Sequence, residues 1–345
     1  MAERILIEGV GGIGGVVAAR MIQAGYGPTL VTNNEEITRA INTGGLRINS
    51  PEGVAVVRAR AYTRLDEIGD EGPFDVAFLI MKANSVVEAA QATVPLLAPE
   101  GFVVTCQNGI VEDAVGAAIG DERVLAAIIV WGGTMHAPGV YERTSIGPSV
   151  IGERDGSITD RVRLVERLLQ TATPVVVTQN IRGAQWSKLA INCTITTIGA
   201  LTGDYLGVML EDRRVRLAFM AAYAEVINTA QALGIQLEKV VSNPMILYVP
   251  PDAAAPTRFA KDLALRFVGR KYRRLKSSSL QSLERGRKTE IDFLNGYVVE
   301  QAQKVGVATP VNARLVQLIK EIESGQRPIA RSNLDDLFVV VPALR

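Results

Sequence analysis

At 345 residues the chain exceeds one ordinary core and predicts two domains. Hydrophobic residues make up 48% and charged ones 21%, which describes a well-packed globular protein. A formal net charge of +1 excludes a global attraction to nucleic acid or membrane, and no apolar run approaches the roughly 20 residues that span a bilayer.

Glu3 and Arg4 precede only a short apolar run ending in glycines, which does not read as a signal peptide. Cys106 and Cys193 lie in apolar surroundings and form no metal or disulfide framework. They predict buried thiols in a reducing, cytoplasmic compartment.

In chain order, short apolar runs alternate with helical patterns through the first half, the signature of a parallel α/β sheet. Strands are predicted at Arg4–Glu8, Thr29–Thr32, Asp75–Met81, Phe102–Cys106 and Val124–Val130. Helices are predicted at Ile13–Ala24, Ser85–Leu97 and Val111–Ile119. Leu46–Ala61 and Val140–Ile151 read as hairpins, and a helix at Thr159–Gln170 and a strand at Pro174–Val177 complete this half. Beyond Ile181 the β signals fade. Gln185–Ile198, Arg213–Leu233, Thr257–Arg274, Leu280–Val305 and Asn312–Glu323 read as helices, while Asp336–Arg345 has no clear pattern. The predicted boundary falls near residue 180, giving an α/β domain over 1–180 and a helical domain over 181–345.

The segment Ile5-Leu6-Ile7-Glu8-Gly9-Val10-Gly11-Gly12-Ile13-Gly14 places G-x-G-x-x-G after a strand and ahead of a helix. Gly9 would permit the tight turn, Gly11 would let backbone approach a pyrophosphate, and Gly14 would allow close helix–strand packing. The helix start, including Gly12 and Ile13, would supply amides and a partial positive charge. Standing alone the motif is weak, but its context fits at every point. The second strand ends in Thr32-Asn33-Asn34, followed by Glu35 and Glu36. Asn33 can bond either ribose form. The two glutamates would either disfavour a 2′-phosphate or serve as first-turn acids of a helix.

In Trp186-Ser187-Lys188-Leu189-Ala190-Ile191-Asn192, helical spacing puts Lys188 and Asn192 on one face, a turn apart. A nicotinamide enzyme that reduces a ketone needs a proton donor for the oxygen. The chain has a single histidine, His136, in a loop feeding a hairpin of the first half. A positioned lysine is therefore the natural donor. An ordinary salt-bridged helix lysine is the competing reading.

Several motifs now stand in order: the glycine loop, Lys82-Ala83, Gln107-Asn108-Gly109, Trp186–Asn192, Ser278 with Gln281, Gly286-Arg287-Lys288-Thr289-Glu290-Ile291-Asp292, and Thr309-Pro310-Val311-Asn312. Together they resemble the ketopantoate reductase (2-dehydropantoate 2-reductase) family. The resemblance implies a Rossmann domain followed by an all-α domain of the 6-phosphogluconate dehydrogenase C-terminal type. It implies NAD(P)H-dependent reduction of 2-dehydropantoate to pantoate, a step of pantothenate and coenzyme A biosynthesis. It makes Lys188 the general acid, with Glu290 binding a substrate hydroxyl or orienting the lysine. Asn192 would bond the substrate, Ser278 would hold its carboxylate, and Asn108 and Lys82 would line the cleft between cofactor and substrate.

Three features depart from a typical member. Thr196 stands one turn beyond Asn192, where another asparagine is usual, so the far end of the substrate pocket differs. Asn33 stands where an arginine suited to NADP is usual. The stretch before Ser278 is longer, with Pro244, Pro250, Pro251 and Pro256 leading into a basic segment. Arg258 to Lys288 holds eleven Lys/Arg against two Asp/Glu. With Phe259, Leu263, Leu265, Phe267 and Val268 interleaved, it reads as an amphipathic helix with a solvated face. The resulting expectation is an oxidoreductase using NADP(H), or alternatively NAD(H), on a small 2-oxo acid, without nucleic acid or membrane partners and compatible with a homodimer. The rivals are a related D-2-hydroxyacid dehydrogenase with another substrate and a non-enzymatic nucleotide sensor.

Overall fold

Runs that are apolar at every position, with no polar alternation, become the centre of a sheet covered on both faces. Ile5–Glu8, apolar but for its last residue, forms strand β1, and all four residues are buried. The computed structural model describes residues 3–50, 53–240, 242–250 and 253–340. The chain divides into two compact units, Met1–Gln107 with Val111–Ile181, and Asn108–Ile110 with Arg182–Arg345.

The first unit is α/β. After β1 come α1 (Gly12–Gln23), β2 (Thr29–Val31), α2 (Glu35–Gly44), β3 (Leu46–Ser50), β4 (Gly53–Val57) and β5 (Ala61–Tyr62). Then follow β6 (Phe74–Leu79), α3 (Val86–Thr93), β7 (Leu97–Thr105), α4 (Glu112–Ile119) and β8 (Val124–Ile129). β9 (Gly133–Ala137), β10 (Val140–Arg143), β11 (Ser149–Gly152), α5 (Asp160–Gln170) and β12 (Val175–Val177) end the unit. The large sheet runs β12-β11-β8-β7-β6-β1-β2-β5. Its pairings are parallel except between β8 and β11. At about 1.5–3 kcal/mol for each large apolar side chain removed from water, the central strands are its main source of stability.

The segment Val140–Ile151 is not a hairpin. β10 pairs antiparallel with β9 in a small sheet, β4-β3-β10-β9, whereas β11 joins the large one. The division has a packing cause. Tyr141 of β10 is fully buried, donates to the Val10 carbonyl at 3.0 Å, and fills the space that a side chain on Gly15 of α1 would need.

Among the described residues, the second unit contains only helices and turns. α6 (Ile181–Ile191) runs into a π-helical turn, Asn192–Thr196, and then α7 (Thr197–Thr202). α8 (Leu206–Glu211), α9 (Arg213–Ala232), α10 (Ala255–Lys271), α11 (Ser278–Glu284), α12 (Asn295–Lys304), α13 (Pro310–Glu323) and α14 (Asn333–Phe338) follow. Trp186, Leu189, Phe219, Tyr223, Val298 and Leu315 lie in one continuous core. No helix of the described residues is long and apolar enough to cross a membrane.

Two helix expectations need correction. Leu280–Val305 is two helices, α11 and α12, parted by Gly286 in the left-handed region (φ 65°) and by a 3-10 turn at Ile291–Phe293. On α10 only Leu265 and Gly269 are buried, while Phe259, Leu263 and Phe267 are exposed. The apolar residues of that helix are therefore split between both faces, because their i, i+4, i+8 spacing opposes Leu265. The helices α8 and α14 are additions to the sequence reading, and α2 is the helix whose first turn holds Glu35 and Glu36. Pro251 and residues 341–345 lie outside the described residues.

Candidate active site

In the first unit, three glycines of the loop differ in what they do for the fold. Gly9 has φ +91°, and a side chain there would stand 2.7 Å from the Ile80 backbone. Gly14 passes so close to the Gly9 carbonyl that a side chain would collide with it. Gly11 is another matter. Its backbone is ordinary extended chain (φ −82°), and a Cβ would meet nothing within 4 Å. The fold does not need a glycine at 11; a ligand lying against that backbone would. α1 begins here with no side-chain cap and no acid in its first turn, so its amides and dipole would meet an anion unopposed. These residues fit the pyrophosphate of a dinucleotide.

Asn33 follows β2 with φ 54°, exposed, its N–H donating to the Thr63 carbonyl at 3.1 Å. Asn34 caps α2 by accepting from the Ile37 amide, and Glu35 and Glu36 are exposed in that helix's first turn. The two acids thus have a helix-dipole role. Lys82 is exposed at the head of the 3-10 turn after β6. Beside it Gln107, buried, donates from Nε2 to the Leu79 carbonyl at 2.7 Å and to that of Met81 at 3.2 Å.

In the second unit, the helix that holds Lys188 is buried almost all round. From Gly183 to Thr202 only Lys188, Ile191, Asn192 and Ile195 are partly open. Their spacing makes one narrow stripe along a single face. The Asn192 Nδ2 is buried and has no hydrogen-bond partner among the described residues, and the same holds for the Trp186 Nε1. An ordinary α-helix would rotate Thr196 about 80° away from Lys188 over eight residues. The wider π turn, i→i+5, takes up that drift, and such turns concentrate at functional sites.

Ser278 opens α11, half-buried, next to the capping Ser277. A side chain on Gly199 of α7 would stand 3.1 Å from Ser277, so α11 reaches α7 closely. Glu290 is buried at the start of the turn Ile291–Phe293. The loop Asn108–Ile110 is held against that turn: the Ile110 amide donates to the Phe293 carbonyl, and Gly109 abuts the same carbonyl. The structure thus places Lys188, Asn192 and Thr196 on one helix, brings the start of α11 to its end, and joins Asn108 to the Glu290 turn.

Buried polar groups to which the sequence reading gave no role support this arrangement. Asn295 and Asn312 are wholly buried and bonded to each other at 2.9 Å. Glu225 accepts from the Val311 and Asn312 amides at 2.9 Å each and from the Asn312 side chain. Burial raises the Glu225 carboxyl above its ordinary value, and these hydrogen bonds oppose the rise. In the first unit Glu8, at the end of β1, is buried and accepts from the Thr93 hydroxyl. Burial pushes its carboxyl up to about 7 against the pull of that bond. A charge closing an otherwise apolar strand was the available signal.

His136 sits on exposed β9, 2.6 Å from the Glu142 carboxylate on β10, in the role of a surface residue. Cys193 is buried, which raises its thiol well above its usual range. Cys106 is only half-buried, contrary to expectation, because it stands just beyond the end of β7. No cluster of three or more metal-ligating side chains occurs among the described residues.

Comparison with known proteins adds a family. The model described as "Ketopantoate reductase PanE/ApbA" matches residues 5–156, and "Ketopantoate reductase PanE/ApbA C terminal" matches residues 180–323. A 2-dehydropantoate 2-reductase of Mesorhizobium japonicum is 29% identical over 343 residues, covering 92% of this chain and 97% of its own. The one from Archaeoglobus fulgidus is 24% identical, covering 94% and 99%. Among solved structures, a PanE/ApbA family ketopantoate reductase from Ralstonia eutropha superposes with a TM-score of 0.79 at 25% identity, covering 94% of this chain and 99% of that one. D-mandelate dehydrogenase, solved with NADH and anilino(oxo)acetate, shares the fold with a TM-score of 0.79 at 19% identity, covering 93% and 99%.

Proposed function

The chain belongs to the ketopantoate reductase family, and from that premise we propose that it reduces a 2-oxo acid, 2-dehydropantoate first, to the 2-hydroxy acid. The glycine loop and the start of α1 would hold the nicotinamide cofactor, which would supply hydride for the carbonyl carbon. Lys188 gives the proton that the carbonyl oxygen takes up, its ammonium becoming an amine that solvent reprotonates. Asn192 donates its buried Nδ2 hydrogen to a substrate oxygen. Ser278 holds the carboxylate, and Glu290 binds a substrate hydroxyl or orients the lysine. Asn108 serves both substrate and cofactor, and Lys82 serves the cofactor. The observation that carries this reading is the Asn192 amide, buried without a partner on the same open stripe as Lys188.

We read the cofactor as NADP(H), with NAD(H) the alternative. Supporting this, Glu35 and Glu36 lie exposed in the first turn of α2, where their charges complement the helix dipole. A second substrate reading, a related D-2-hydroxyacid dehydrogenase acting on another 2-oxo acid, rests on Thr196. It is buried at the end of the π turn with a shorter side chain than asparagine. We read the setting as reducing and cytoplasmic, in keeping with the buried thiol of Cys193.

Oxidation of NADPH and NADH should be followed with 2-dehydropantoate and a panel of branched and aromatic 2-oxo acids. Turnover is expected, with 2-dehydropantoate preferred. Lys188→Ala should lower kcat by about 10²- to 10⁴-fold while dinucleotide affinity persists. Near-normal turnover of that variant would overturn the assigned role of Lys188.

A further inference from the structure

The π turn that carries Asn192 and Thr196 is gripped at both ends by one side chain from another helix. Asn295 of α12 donates to the Cys193 carbonyl at 2.9 Å and accepts from the Thr197 hydroxyl at 2.6 Å. Its second N–H goes to the Asn312 Oδ1 at 2.9 Å. Asn312 in turn donates to the Ala222 carbonyl at 3.0 Å and to Glu225 at 2.6 Å. Both N–H bonds of each amide are used, and each amide oxygen accepts, so neither side chain can flip without losing bonds. Thr197, Asn295 and Asn312 are at most 1% exposed. The chain of bonds ends on Glu225, which also accepts two amides at the start of α13. A fully satisfied buried network of this kind fixes one geometry, and removing a member leaves several groups unpaired.

We propose that Asn295, itself held by Asn312 and Glu225, is a positioning residue that fixes the π turn and thereby aims Asn192 and Lys188 at the substrate. The inference rests on the reductase reading for its effect on turnover, but its effect on the π turn stands apart from that reading. Asn295 touches no reacting atom. It acts through the backbone carbonyl of Cys193, the residue that follows Asn192. Thr309-Pro310-Val311-Asn312 gains a purpose by the same route, since Asn312 orients the amide that grips the turn.

The test compares Asn295→Ala with Val298→Ala, a wholly buried core position on the same helix. Thr197→Val and Thr197→Ser provide a milder pair should Asn295→Ala fold poorly. Hydrogen exchange of the amides across 192–198 is measured alongside kcat, the KM for the 2-oxo acid and dinucleotide affinity. Asn295→Ala and Thr197→Val should speed exchange at the π turn and lower kcat/KM by about 10- to 100-fold, with dinucleotide affinity unchanged. Thr197→Ser should restore both properties, and Val298→Ala should disturb neither in proportion to its loss of Tm. Equal losses in Val298→Ala at matched Tm, or unaltered exchange at 192–198 in both Asn295→Ala and Thr197→Val, would overturn the positioning role. Should the wild type turn over no 2-oxo acid, the reductase reading falls, and the exchange measurement alone decides whether Asn295 holds the turn.

Discussion

Burying an N–H without an acceptor costs about 1–3 kcal/mol, and among the described residues the Asn192 Nδ2 is such a group. A protein keeps an arrangement of that kind where an arriving ligand supplies the acceptor. Asn192→Ala should therefore leave the Tm of the ligand-free protein unchanged or slightly raised, while the KM for the 2-oxo acid rises by about tenfold, the worth of one hydrogen bond near 1.4 kcal/mol. Thermal unfolding and steady-state kinetics on the same preparation check both halves. A Tm lower by several degrees with an unchanged KM would assign the amide to the fold. Glu8 makes a different residue-scale prediction. Its carboxyl moves from the ordinary 4.5 to about 7, chiefly through burial. The folded protein thus holds a proton that the unfolded chain releases, so stability falls as pH rises. The contribution is complete below 4.5 and lost as pH passes through about 7, a span worth up to about 3 kcal/mol. Glu8→Gln, which keeps the Thr93 contact, should be more stable than the wild type near pH 8 and show a flatter Tm profile. A residual slope of the same sign is expected from Glu225, also raised by burial. Identical profiles for variant and wild type would remove Glu8 as the cause.

At the scale of elements, the glycine loop separates what the fold needs from what a ligand needs. Gly14→Ala must push its side chain into the Gly9 carbonyl, which strains the β1–α1 junction and should lower Tm. Gly11→Ala has extended backbone and open space, so Tm should hold while the dinucleotide Kd rises by about tenfold or more, as expected where backbone must approach phosphate closely. Calorimetry for binding and for unfolding distinguishes the two, and a Gly11→Ala protein with native affinity would refute the pyrophosphate assignment. The sequence makes this loop legible because strand, glycines and helix are contiguous, and each signal is local. The same holds for the buried strands and for α9. The break between α11 and α12 was less legible, since the apolar period continues across Gly286 and only the left-handed glycine and the turn at Glu290 interrupt it. The π turn was not legible at all. It is held by Asn295, about a hundred residues away in sequence, and helical periodicity carries no record of such a partner. The exposed Phe259, Leu263 and Phe267 were misjudged for a related reason: spacing shows which residues share a face, not which face meets the core.

The two units are not two uninterrupted halves of the chain. Asn108–Ile110 leaves the first unit for three residues and belongs to the second. A boundary drawn from composition near residue 180 cannot see this excursion, because three residues carry no period. Ile110 is nevertheless 2% exposed and part of the helical unit's core, and its amide donates to the Phe293 carbonyl three residues after Glu290. The candidate substrate residues Asn108 and Glu290 therefore share a support supplied from the first half of the sequence. Ile110→Ala should cost about 2–5 kcal/mol, the usual range for truncating a buried isoleucine, and the loss should fall on the helical unit. Hydrogen exchange is expected to quicken across 291–298 while β1, α1 and β6 keep their protection, since stability is distributed by cooperative region. Dinucleotide affinity should persist, and the KM for the 2-oxo acid should rise as the Glu290 turn loosens. Uniform loss of protection across both units would show that they unfold as one body, and that the excursion ties the protein together without serving the helical unit in particular.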